Sequence, residues 1–121
     1  MHILNLVHQY LPERVGGTEL YAQAIAGEMA ARGHDVAVLY RSDRPTSGLA
    51  AREEDGVAVW SAGAGTLSPS QRFLATYRNP ALRQAFVQAL DRFRPDVVHV
   101  QHMMGWPAAS LAAELRRRRI P

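Results

Sequence analysis

Four short apolar runs punctuate this chain: Ile3-Leu4-Asn5-Leu6-Val7, Val36 to Tyr40, Val57-Ala58-Val59-Trp60, and Asp96-Val97-Val98-His99-Val100. Runs of that length bounded by loop residues read as buried strands. Helical spacing separates the first from the second and the third from the fourth. Strands that alternate with helices make an α/β domain with a mostly parallel sheet. Right-handed crossovers and the doubly wound pattern then predict the strand order 3-2-1-4.

Local signals refine that frame. Thr18 is placed to cap a helix that runs to about Arg32, with Leu20, Tyr21, Ala24, Ile25, Glu28 and Met29 as its inward stripe. Gly33 ends it in a left-handed conformation. Residues 41–56 read as a polar loop closing in the acidic turn Glu53-Glu54-Asp55-Gly56, and residues 61–68 as a small, glycine-rich loop. A short helix is predicted from Ser68-Pro69 through Tyr77. Asn79-Pro80 is a strong helix start, and Leu82, Phe86, Ala89, Leu90 and Phe93 form its apolar face up to Pro95. A last helix opens near Trp106-Pro107, with Ala108, Leu111, Ala112 and Leu115 inward.

Composition excludes several classes. A chain of 121 residues suffices for one small domain with one core. No apolar run approaches the roughly 20 residues of a membrane span, and the start lacks a secretory pattern. Cysteine is absent, which excludes disulfides, thiolate zinc sites and cysteine nucleophiles and fits a cytoplasmic protein. Net charge is +3, and all 14 basic residues are arginine. Arg116 to Arg119 read as the solvated, dipole-favoured end of a helix, with contact to anionic lipid or phosphate as the second reading. Elsewhere the basic residues are interspersed with acids, so nucleic acid is not an expected partner. No metal-ligand cluster is visible, and no metal or cofactor is expected.

The feature with chemical content is Val15-Gly16-Gly17-Thr18-Glu19, between the first strand and the first helix. Amides at a helix start point outward unpaired, and glycine lets an anion approach them. The plainer reading is a tight turn before a capped helix. The predicted topology carries this loop to the sheet's switch point, opposite Gln101 to Trp106, where ligands of such sheets bind.

The order of motifs resembles a known family. An apolar strand leads into "P…GGTE", then a helix ending "RGHDVAVL", followed by "DGVAVW" and "RPDVVHVQH". Together they resemble the N-terminal domain of a glycosyltransferase family 4 enzyme of the GT-B fold, over essentially the whole chain. The resemblance implies a Rossmann-like domain, residues 1–121, on the acceptor side of a two-domain enzyme. It implies retaining transfer from a nucleotide-diphosphate sugar to a sugar or lipid-linked acceptor, without a metal. Gly16, Gly17 and Thr18 would then meet the donor diphosphate. His102, Tyr10, Glu19 and Met103 are the candidate acceptor contacts; no catalytic residue is assigned. The family pattern runs on past Ile120-Pro121 into a fifth strand and a donor domain. The sheet is therefore expected to be incomplete at its C-terminal end, and the chain inactive by itself.

Single residues carry duller readings too. His99 is expected to be a satisfied, packed histidine and Trp106 a packing anchor. Arg41 and Asp43 are expected to form a surface pair, and His8 is a second candidate in the cleft loop. Two other functions compete. One is an independent nucleotide- or dinucleotide-binding module or a nucleotide-sugar epimerase part, although V-G-G-T-E-L lacks the G-x-G-x-x-G spacing. The other is a non-catalytic, oligomerising interaction domain. An open sheet edge would favour a homodimer, and peripheral contact with the inner face of a membrane is a further expectation.

Overall fold

The computed structural model describes residues 1–75 and 77–121. In chain order the elements are β1 (His2–Val7), α1 (Gly17–Ala31), β2 (Asp35–Ser42), β3 (Ser47–Glu54), β4 (Val57–Ala64), α2 (Pro69–Ala75), α3 (Pro80–Phe93), β5 (Val97–Val100) and α4 (Ala108–Arg118). The sheet has the order β3-β4-β2-β1-β5. β1 pairs in parallel with β2 and β5, and β2 with β4. The class is the α/β, mostly parallel sheet expected.

The order differs in detail from the expected 3-2-1-4 because residues 47–54 are a strand, not a loop. β3 runs antiparallel to β4 at the sheet edge. The signal was Asp55-Gly56: both residues adopt positive φ, 49° and 79°. Such a pair suits a two-residue hairpin turn whose twist matches the flanking strands. Without that added strand the remaining order is β4-β2-β1-β5.

Register assigns the strand residues to two faces, because alternate side chains point opposite ways. Leu4, Leu6, Ala37, Leu39, Trp60 and Ala62 meet Leu82, Phe86 and Leu90 of α3 and Leu111 of α4. Val7, Tyr10, Val36, Val38, Tyr40, Val57 and Val59 form the other core with Ala22 and Ala26 of α1. α3 follows its pattern: the Asn79 side chain accepts from the Leu82 amide at 3.1 Å, and Pro80 opens the helix.

α1 does not follow its pattern. Its buried residues are Glu19, Ala22 and Ala26, whereas Leu20 and Tyr21 are 51% and 58% exposed. Small residues let the helix lie close on the sheet, Met29 packs partly buried at the margin of that core, and Leu20 and Tyr21 turn outward. Thr18 is not the cap either. Gly16 is, in extended conformation and without a side-chain cap bond. Gly33 does take the left-handed φ, +89°. In α4 the buried pair is Leu111 and Glu114, not the alanines. Glu114 is held by Arg117 and Arg118 at 2.6 Å, and those contacts pull its carboxyl down to about 2. α2 ends at Ala75, short of Tyr77, and Thr76 lies outside the described residues.

β5 has no strand partner on its outer side among the described residues, but Pro121 reaches it. The Val98 amide donates to the Pro121 carbonyl at 2.9 Å.

Candidate functional site

The carboxyl ends of β1, β2 and β5 converge at the switch point, and three loops build on them. The loop after β1, residues 8–16, turns through a cis Leu11–Pro12 peptide. It is tied to the end of β2: the Ser42 hydroxyl donates to Glu13 at 2.7 Å, and Arg44 pairs with Glu13 at 3.0 Å. Arg52 of β3 bonds the Leu11 carbonyl and the Tyr40 hydroxyl. The strand hidden from sequence reading thus supplies an arginine that fixes the loop.

Tyr10 is corrected by this arrangement. It is 2% exposed, with its ring 5.8 Å from that of Tyr40 in the α1-side core. Burial, then the nearby Glu54 carboxylate, push its hydroxyl up to about 12, against the opposing pull of Arg52. A ring so enclosed offers no surface to an acceptor; it anchors the loop. Met103 is partly buried and packs against the α3/α4-side core.

At the start of α1 the first intrahelical bond runs from the Leu20 amide to the Gly16 carbonyl, 3.0 Å. The amides of Gly17, Thr18 and Glu19 precede it in the first turn, and the cap residue Gly16 has no side chain to bond them. That leaves donors for an anion, with the helix dipole behind them. Apart from its chain neighbours and the nearby helix backbone, no heavy atom of the described residues lies within 4 Å of where a Gly17 Cβ would stand, so it opens outward. At Gly16 a Cβ would lie 2.8 Å from the Glu19 carboxylate. Glu19 is therefore folded back beneath the loop, 5% exposed, rather than aimed at an acceptor.

Glu19 also faces His8, with 4.0 Å between Oε1 and Nε2. The His8 ring lies 4.2 Å from that of His102, centre to centre. Two loops far apart in sequence thus meet through two imidazoles. Burial, then the neighbouring His102, hold the His8 pKa below its ordinary 6.5, and Glu19 only partly opposes them. His8 is 9% exposed, and its Nδ1 has no hydrogen-bond partner among the described residues. His102 Nδ1 accepts from the Met104 amide at 3.2 Å, so a neutral His102 carries its proton on Nε2.

The third loop is locked from below. Trp106 is 1% exposed and donates Nε1–H to the Val7 carbonyl at 2.8 Å, the anchor expected of it. Gly105 has φ +79°, and a Cβ there would fall on the Arg41 side chain. Arg41 pairs with Asp43 at 2.5 Å, and Arg14 approaches Asp43 at 3.6 Å. His99 is satisfied by Asn5 Oδ1 at 3.1 Å, which Gln101 also reaches at 3.0 Å.

Two openings flank this centre. A cleft of about 560 Å³ is lined by Arg14, Arg41, Asp43, Gly65, Arg72 and Gly105, among others. A groove of about 440 Å³ lies between Gly17, Thr18 and Tyr21 on α1 and His99, Val100 and Gln101 at the end of β5. Asp43 is engaged by two arginines. It is thus poorly placed to serve as the ribose-binding acid that a dinucleotide site needs. Among the described residues no group of His, Asp or Glu has the arrangement of a metal site.

The fold and this site define an α/β domain of the doubly wound type, with an open glycine turn and a histidine pair at its switch point. The family model described as a glycosyl transferase 4-like domain matches residues 16–121, and the chain belongs to that family. No curated protein matches the chain closely enough to stand as a relative.

Proposed function

We propose that this domain forms the acceptor side of a retaining glycosyltransferase that moves a sugar from a nucleotide-diphosphate donor. The observation that carries the reading is the uncapped start of α1, with Gly17 open to the outside at the switch point of the sheet. When the sugar leaves, negative charge builds on the diphosphate. Preoriented amides stabilise such charge without reorganising at the moment of reaction. Gly17 and Thr18 supply those amides, and Gly16 sets their direction by accommodating the Glu19 carboxylate.

The acceptor then lies on the His102 side, in or beside the cleft lined by Arg14, Arg41 and Asp43. His102 contacts the acceptor. His8 and Glu19 hold it in place from beneath and are positioning residues. No residue here is assigned the proton or sugar transfer itself, and the donor nucleotide is gripped by a separate domain. On this reading the domain works in the cytoplasm.

Titration of UDP, GDP, their sugars and NAD into the chain tests this reading. It predicts weak nucleotide-sugar binding that involves the α1 start, and no tight NAD binding. Tight NAD binding by these 121 residues would sink it in favour of a dinucleotide module.

A further inference from the structure

The helix α2 is built unlike the others. It is seven residues long and buries none of them. Phe73, Leu74 and the following Tyr77 are 67%, 62% and 71% exposed, and the two rings touch edge to face at 5.8 Å. An isolated exposed apolar residue means nothing, but three together on one short segment mark a contact surface. The charged residues that neighbour them along the chain have one sign, and Asp43, which shares a cleft lining with Arg72, is itself engaged by two arginines. Between Asp55 and Asp91 the chain has no aspartate or glutamate, and it carries Arg72, Arg78 and Arg83. Arg72 lies within α2, and Arg78 one residue past Tyr77; both are exposed.

We propose that α2 and the turn to Arg78 dock on an anionic lipid bilayer, with Phe73, Leu74 and Tyr77 entering the headgroup boundary and the arginines meeting lipid phosphate. Aromatic and leucine side chains beside arginine, without acids, suit that interface. A protein partner of ordinary mixed charge would not ask for an acid-free surround. Arg72 and Ala75 also line the cleft beside Asp43, so docking would bring the mouth of that cleft to the membrane surface. The proposal stands whether or not the domain serves a transferase.

Flotation of the full chain with phosphatidylcholine vesicles, with and without phosphatidylglycerol, tests it. The chain should float with the anionic vesicles only, and salt should weaken the binding. Phe73→Ser/Leu74→Ser/Tyr77→Ser should weaken it at least tenfold, with thermal stability unchanged because these side chains bury nothing. Arg78→Glu should cost about fivefold or more. The chain has no cysteine, so a Phe73→Cys variant labelled with an environment-sensitive dye gives a second reading. Its emission should shift to the blue on anionic vesicles. Equal binding to neutral vesicles, no binding to either, or an unaffected triple variant would each overturn the proposal. So would loss of binding through Arg116→Glu/Arg119→Glu while the triple variant still binds. A dimer abolished by the triple variant would assign the patch to a second copy instead, and so overturn it.

Discussion

α1 and α3 cover opposite faces of one sheet, and they are built on different principles. α3 turns a stripe of large residues inward, caps itself with Asn79 and ends on a left-handed Arg94. α1 turns alanines inward, leaves its first turn uncapped, and shows Leu20 and Tyr21 to the outside. The first arrangement maximises buried area. The second gives up area for a close approach to the sheet, which fixes the position of its amino end. A helix that serves a ligand is constrained at its terminus; one that serves the core is constrained along its stripe.

Mutations can break that contrast, and the largest effect belongs to α3. Phe86 is fully buried, and Phe86→Ala should cost about 3–5 kcal/mol in urea unfolding. Next comes α1, on the face that periodicity does not pick out. Ala22→Leu forces side chain into a closed contact and should cost about 1–3 kcal/mol, whereas Leu20→Ser should stay within about 0.5 kcal/mol. If the apolar stripe were the packed face after all, that order would reverse.

The α3 side also holds Glu114, buried and shared by Arg117, Arg118 and, at 3.6 Å, Arg83. Glu114→Gln should cost about 1–2 kcal/mol at neutral pH, since its partners are mostly exposed and can rehydrate. The carboxyl is lowered from 4.5 to about 2 in the folded chain. Its stabilisation is therefore complete above 4.5 and fades as pH falls towards about 2, where wild type and variant should converge. The smallest effect sits on the α1 side. His8 has its pKa lowered from 6.5, so the unfolded chain binds the proton more readily. Stability should fall as pH drops below 6.5, and His8→Gln should flatten that slope in thermal melts.

How much of this was legible in the chain follows the same divide. The four parallel strands announced themselves by apolar runs, and α3 by its cap, proline and stripe. β3 did not, because Ser47-Gly48-Leu49-Ala50-Ala51-Arg52 has little strand preference. Pairing with β4 through the Asp55-Gly56 turn overrides that weakness, and the dipeptide was the available clue. α1 misled because its apolar residues fall on two sides, and only tertiary packing selects the alanine side. At the site, the glycine turn and the approach of the Gln101–Trp106 loop could be read from topology. The tilted ring contact of His8 with His102, the recoil of Glu19 under Gly16 and the burial of Tyr10 could not. Each depends on side-chain directions set by contacts remote in sequence.

The central claim is that the open first turn of α1 receives a diphosphate. Amide NMR of the chain during titration with inorganic pyrophosphate and then UDP tests it most directly. The account predicts that the Gly17 and Thr18 amides shift first and furthest, and that Gly17→Val removes the response. Shifts confined to the arginines of the cleft or of α4, with Gly17 and Thr18 unmoved, would contradict it.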